Sequence, residues 1–526
     1  MKSTSKMASA LCLYALSAIF SVATAQVIRV ANQGDALSMD PHSLNESLQL
    51  SVTGNVYEPL IARNKDLSLM PALATAWKQT SPTIWRFELR KGVQFHDGTP
   101  FQADDVLFSL QRTQADASDM KTYTNDFKEV RKIDDYTVEI ETKTPYPILP
   151  EVLPLVYMMS KAWCETNQAL VPVDRRKGVE NAASFRANGT GPFRLHERQP
   201  NVRTVFTRNA SYWGTIESNA AEVVFTPIAN DATRVAALLS GEVDVMEPVP
   251  LQDLDRINGS SVARAVTGPE LRTVFLGMDQ KRDELLYSSV KGKNPFKDQR
   301  VRQAVYQAID IDGIRKTVMR GASSPSALLV GPGINGFTAD IKRLPYSVSA
   351  AKKLMADAGY AQGFEVGMNC PNDRYVNDGR ICQTIAANLS RINVKVNLQA
   401  ETKGTYFPKV LRRDTSFYML GWTPATYDAH NALNALMSCV DDNGAGQFNL
   451  GAYCNPKVDE LTRKVQAETD KEKRNAMIRQ AFEIHAADVG HIPLHQQALA
   501  WGVSRKVKLV QLADNFMPFK WMSISP

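Results

Sequence analysis

Residues 421–439 read GWTPATYDAHNALNALMSC, directly after a strand-like run, SFYML, that stops at Gly421. Trp422, a proline, Tyr427 and the lone carboxylate of Asp428 follow before a weakly helical segment begins. Aromatic residues at a strand end, beside glycine and proline, sit where α/β folds place ligand crevices. Gly421 and Trp422 would form one wall of such a crevice, with Tyr427 beside them. Asp428 has two readings, contact with a ligand cation or the cap of the following helix, and the local sequence leaves both open. A second stretch, CPNDRYVNDGRIC (370–382), carries Arg374 and Tyr375 in a loop between two cysteines. A loop arginine held in this way suits a carboxylate, because its planar fork makes two parallel charge-assisted bonds. An ordinary solvated arginine is the competing reading.

Other chemistries find less support. No G-x-S-x-G elbow, P-loop or H-E-x-x-H motif occurs, so neither catalysis nor a cofactor is expected. In HIPLH, His491 and His495 are spaced four apart, but Pro493 favours an extended segment, which makes them structural. With seven histidines in all and no C-x-x-C, a dedicated metal site is not expected.

The elements that must position these residues come from the rest of the chain. At 526 residues the chain exceeds one ordinary core, and two or three folding units are expected. Hydrophobic content of 44% and charged content of 22% are those of a soluble globular protein. The formal charge of +6 is small for the length, and no basic stripe is present to line a nucleic-acid groove. The first 25 residues differ: Lys2 and Lys6 precede an apolar run ending in Ala23-Thr24-Ala25, which reads as an export signal over residues 1–25. Export permits disulfides. Cys370 with Cys382 and Cys439 with Cys454 are local candidates, each closing a loop near 15 residues at about 3 kcal/mol on the chain-entropy model. Cys164 is left over as a small buried apolar residue.

Along the chain the pattern is α/β. TIWRFELR alternates, placing Trp85, Phe87 and Leu89 on one face, and QADDVLFSLQRT reads as a helix with acids at its start. VVFTPIANDATRVAALLSGEVDV reads as strand–helix–strand, with a cap near Asp231, Gly241 as the stop and a second strand through Val243 and Val245. Asp298 caps a helix carrying Val301, Val305 and Ile309 at helical spacing. FEVGMNC and NVKVNLQ read as strands flanking a helix, and Thr469 with Glu472 form a capping box before a helix whose Ile478, Ala481, Phe482 and His485 share a face.

Six blocks, in order, resemble the solute-binding proteins of ABC transporters in the peptide/nickel-binding family (family 5), including periplasmic dipeptide-binding proteins. They are VYEPLIARNKDLSLMPALATAW running to WRFELRKGVQFHDGTPFQADDVLFSLQR, then GTGPFRL, LLSGEVDV, NPFKDQRVRQAVYQAID and IPLHQQ. The resemblance spans nearly all of the chain after residue 25. It implies a periplasmic-binding-protein-like fold: two α/β lobes joined by a hinge, with an additional inserted α/β domain. The expected division is lobe I over 26–55, 172–265 and 494–526, the inserted domain over 56–171, and lobe II over 266–493. It also implies a monomer in the periplasm that binds a peptide or related small solute, with an ABC permease and ATPase as partners and no catalysis. A metal chelate (nickel or haem complex) as ligand, or a peptide hydrolase or chaperone, are the alternatives. Arg374 stands where the dipeptide-binding branch has its carboxylate-binding loop arginine, and Gly421-Trp422 where that branch has its pocket wall. Ala425 stands where peptide binders carry an aspartate for the ligand amine, and a buried ammonium without its partner loses on the order of 2–5 kcal/mol. Asp428 is the candidate to supply that charge; otherwise the natural ligand lacks a free amine.

Overall fold

The computed structural model describes residues 26–424 and 426–525. The expected export signal, 1–25, and the Ala425 departure lie outside the described residues. One sheet of eleven strands runs through the molecule. In its first half, Val27–Asn32 pairs in parallel with Glu222–Pro227 and Val245–Glu247, and Arg203–Arg208 and Phe193–Gln199 extend it antiparallel. In its second half, Phe364–Pro371 lies in parallel between Val394–Glu401 and Phe417–Trp422. Two long strands, Ala263–Met278 and Ile492–Ser504, belong to both halves. They pair antiparallel with each other; the first also pairs Phe417–Trp422 and the second Val245–Glu247. Their register shifts between Pro269 and Thr273.

A separate antiparallel sheet, in the order Ala74–Ser81, Ile84–Leu89, Thr137–Thr142, Phe127–Asp134, lies within the segment 56–171. Its alternation buries Phe87, Leu89, Val138 and Ile140 against the helix Ala103–Thr113. The tie to the rest of the molecule is partly ionic. Arg112 on that helix and Asp40, both fully buried, meet in a bidentate pair at 2.7 and 2.6 Å.

Three local expectations shift. The helix Asp231–Ser240 is capped by Asn230, whose side chain accepts the Thr233 N–H at 3.0 Å, and it stops at Gly241 in the left-handed region. The strand that follows starts at Val245 rather than Val243, because Asp244 turns its carboxylate to Arg29. Asp470, not Thr469, caps the helix Lys471–Asp488: its carboxylate accepts the N–H groups of Glu472 and Lys473. That helix does bury Ile478, Ala481, Phe482 and His485. Both expected cysteine pairs are bridged, and Cys164 is free and buried.

The histidines act as core struts. His485 and His491 hydrogen-bond ring to ring at 2.9 Å, and His495 lies buried on the long strand. Burial holds His42, His96, His430 and His495 down at about 4, and His485 at about 3. The unfolded chain takes up protons near the ordinary value of 6.5 that the folded protein refuses, so these groups remove stability as pH falls from 6.5 toward 4. Asp119, held up at about 6, and Glu247 and Asp378, held up at about 7, work the other way over pH 7 to 4. Glu58, Asp105, Asp126, Asp373, Asp459 and Asp514 are raised as well, without the large shifts of the histidines, each of which spans most of the window from 6.5 to 4. The thermal midpoint should therefore change little between pH 7.5 and 6.5 and fall steadily from 6.5 to 4.5. A midpoint that rises through pH 5 would mean that the histidines titrate in the folded state.

Candidate functional site

The loop that carries Arg374 and Tyr375 is folded onto the helix Asp378–Ser390. Asp378 accepts the N–H groups of both residues at 2.9 Å, and the Cys370–Cys382 bridge ties the preceding strand to the same helix. The loop presents Arg374 to the other half of the molecule. Its Nε lies 2.6 Å from Glu46 Oε1, an ion pair that leaves the Nε–H without an aligned acceptor. Glu46 caps the helix Ser47–Thr53 through the N–H groups of Leu48 and Gln49, and Lys403 Nζ stands 3.4 Å away. Burial works against the Glu46 charge, but Arg374, Lys403 and the helix N–H groups bring its carboxyl down to about 2. At 9% side-chain exposure, Arg374 is not a solvated loop residue.

The strand end quoted at the outset meets this loop. The Tyr375 hydroxyl accepts the Gly421 N–H at 2.8 Å. A side chain at Gly421 would put its Cβ 2.7 Å from the Tyr375 ring and 3.1 Å from Arg272, so glycine permits the close approach. Trp422 donates its indole N–H to Asn431 at 2.8 Å and tilts against Phe448 with ring centroids 5.0 Å apart. Arg374, Tyr375, Gly421, Trp422 and Phe448, together with Arg272, Glu46, Ser47 and Tyr123, line a chamber between the halves. Thr423, also on its wall, has a buried hydroxyl with no hydrogen-bond partner among the described residues. Across Arg374 lies a second, more polar chamber, bounded by Asn32, Glu247, Asp373, Gln497 and Asn515. Arg374 and Ser47 belong to both walls.

Four of the six expected site residues, Arg374, Tyr375, Gly421 and Trp422, therefore converge. Tyr427 and Asp428 line neither chamber. Tyr427 donates its hydroxyl to Asp514 at 3.0 Å and lies under the Arg63 guanidinium at 4.2 Å. Asp428 is the cap of the next helix, accepting the His430 N–H at 2.8 Å, and it also binds Asn335 and a bidentate Arg474. Burial opposes its charge, but Arg474 holds the carboxyl below its usual range. With both oxygens engaged in this buried network, the cation that Asp428 reads is the protein's own. Residues 331–336, GPGING, have the G-x-G-x-x-G spacing, but no strand precedes them and no helix follows, so they make no phosphate cradle.

Sequence reasoning missed Glu46, Ser47, Glu247, Arg272, Lys403 and Asn515. They come from segments hundreds of residues apart, and only the sheet order brings them together. One signal was available for Glu247: it is a charged residue ending a short strand that is otherwise apolar.

A two-half α/β protein with a polar, aromatic-walled cleft between the halves has the architecture of proteins that hold a small molecule between lobes. The model of the bacterial extracellular solute-binding proteins, family 5 (middle region), matches residues 68–444, and the chain belongs to that family. Among curated relatives, the glutathione-binding protein GsiB of Pectobacterium atrosepticum is 26% identical over 483 residues, covering 89% of this chain and 88% of the relative. GsiB of Escherichia coli is 24% identical over 494 residues, covering 92% and 91%. Among solved structures, the periplasmic binding protein DppA of Helicobacter pylori, in complex with the peptide STSA, superposes with a TM-score of 0.85 at 24% identity, covering 95% of this chain and 98% of that one. A dipeptide-binding protein of a Pseudoalteromonas species, in complex with Met-Leu, gives 0.84 at 21% identity, covering 95% and 100%. These likenesses support the two-lobe fold.

Proposed function

We propose that the protein is the solute-binding component of an ABC importer and encloses a peptide or peptide-like solute, glutathione among them, in the cleft around Arg374. The observation that carries the reading is the bridge between halves. Arg374 comes from the second half and its partner Glu46 from the first, so the cleft already joins a guanidinium to a carboxylate across the two. A solute carboxylate would take the place of Glu46 on that guanidinium, with its body against Trp422 and Phe448. Closure is then a population shift toward the state in which both halves touch the solute. The proposed division is lobe I over 26–55, 172–265 and 494–526, an inserted domain over 56–171 and lobe II over 266–493. The proposed setting is a periplasmic monomer, released from the export signal 1–25, that delivers its unaltered solute to a permease and ATPase. Native mass spectrometry of protein purified without refolding, followed by calorimetric titration with glutathione and a panel of di- and tripeptides, tests this. A trapped peptide mass, or saturable binding without cleavage products, is the expected result. Turnover of the peptides, or no binding across the panel, would overturn it.

A further inference from the structure

We propose that Glu247 is the receptor for an ammonium group of the bound solute, in the polar chamber across Arg374. The inference rests on the peptide reading above and adds a residue and a charge to it.

Glu247 ends the strand Val245–Glu247 and is 9% exposed, on the wall that it shares with Arg374. Asn32 donates to one of its carboxylate oxygens at 3.0 Å, and Asn515 donates to the other. Neither amide is free to turn over. Asn32 Oδ1 accepts the Gly34 N–H at 2.9 Å, and Asn515 Oδ1 accepts the Trp501 indole N–H at 2.9 Å. Two neutral donors thus aim the carboxylate without neutralising it, and each oxygen keeps a lone-pair direction open.

The nearby cations are spent elsewhere. Arg374 pairs with Glu46 and Arg272 with Glu270, and among the described residues no cation pairs with Glu247. Glu270 is near enough to oppose its charge, and one Glu270 oxygen is buried without a hydrogen-bond partner. Burial first, and that neighbour as well, raise the Glu247 carboxyl to about 7, outweighing the Asn515 hydrogen bond and the charges of Arg374 and Arg272, neither of which pairs with it. A buried acid on a cavity wall, oriented but lacking a counter-charge, gains most from a cation. An ammonium answers both needs at once, because its three donors meet the open acceptor directions with charge assistance. The bland alternative is that Glu247 only pins Asn32 and Asn515.

A chemical cycle separates the two. Glutathione and trialanine, each with a free and an N-acetylated amine, are titrated calorimetrically into wild type and Glu247→Gln. Wild type should prefer the free amine by roughly tenfold or more, as expected for a desolvated charge pair. In Glu247→Gln that preference should collapse, with the N-acetyl forms binding as they do to wild type. The proposal is overturned if wild type shows no preference, if the preference survives in Glu247→Gln, or if both amine forms weaken alike. Should Glu247→Gln not fold, the cycle is run on Glu247→Asp, whose shorter reach should shrink the preference. If no probe binds wild type, the peptide reading itself fails and this proposal falls with it.

Discussion

Asp40→Ala is expected to destabilise the folded protein by about 3–5 kcal/mol, the cost of leaving a buried charge without its partner. The Asp40–Arg112 pair has no exposed side-chain surface on either partner. Arg112 also donates to the carbonyls of Ala169 and Val171 at 3.1 Å, while Asp40 accepts the N–H groups of His42 and Val173 at 3.0 Å. One ionic pair thus stitches three chain segments, and alanine at position 40 strands a guanidinium that water does not reach. Arg112 cannot escape by deprotonating, because a guanidinium stays protonated even where burial pulls its pKa down. Denaturant unfolding of the protein measures the loss. A change under about 1 kcal/mol would place Arg112 in contact with solvent and sink the argument. Replacing both partners with apolar residues, Asp40→Leu with Arg112→Met, should recover most of the loss, because no lone charge remains.

Arg374→Ala is expected to weaken a carboxylate-bearing peptide by more than about tenfold, and by up to the 2–5 kcal/mol that truncating a buried charge partner costs. The guanidinium faces both chambers, its Nε–H has no aligned acceptor beside Glu46, and its loop is braced by Asp378 and a disulfide. Calorimetry on a peptide acid and its C-terminal amide gives a sharper readout than affinity alone. Wild type should distinguish the two and Arg374→Ala should not. Arg374→Lys should keep part of the discrimination, since an ammonium retains the charge but not the planar fork. Unchanged affinity in Arg374→Ala would remove this residue from the site.

Much of the fold was legible because its signals are local. Alternation marks the Ile84–Leu89 strand, and the Asp298 cap announces the helix Gln299–Ala308. The cysteine spacing gave both bridges. Caps were less certain, since Asn230 and Asp470 each compete with a neighbouring side chain able to make the same bond. The site was half legible. Arg374 and Trp422 sit in short motifs with recognisable chemistry, but the partner of each carboxylate is a long-range fact. Nothing near Asp428 in sequence announces Arg474, and nothing near Arg374 announces Glu46. A lone acid beside aromatics therefore looks the same whether it waits for a ligand or is already matched.

The register break between Pro269 and Thr273 has a mechanical meaning. A ladder bends where rungs are missing, so the lobe closure proposed above would concentrate its rotation at that gap. Glu270 and Arg272 stand inside it, and Arg272 reaches Ser47 of the opposite half at 3.1 Å. On the proposed two-lobe reading, the pivot and part of the cleft wall would be the same residues, and a guest that pulls on Arg272 would apply its torque there.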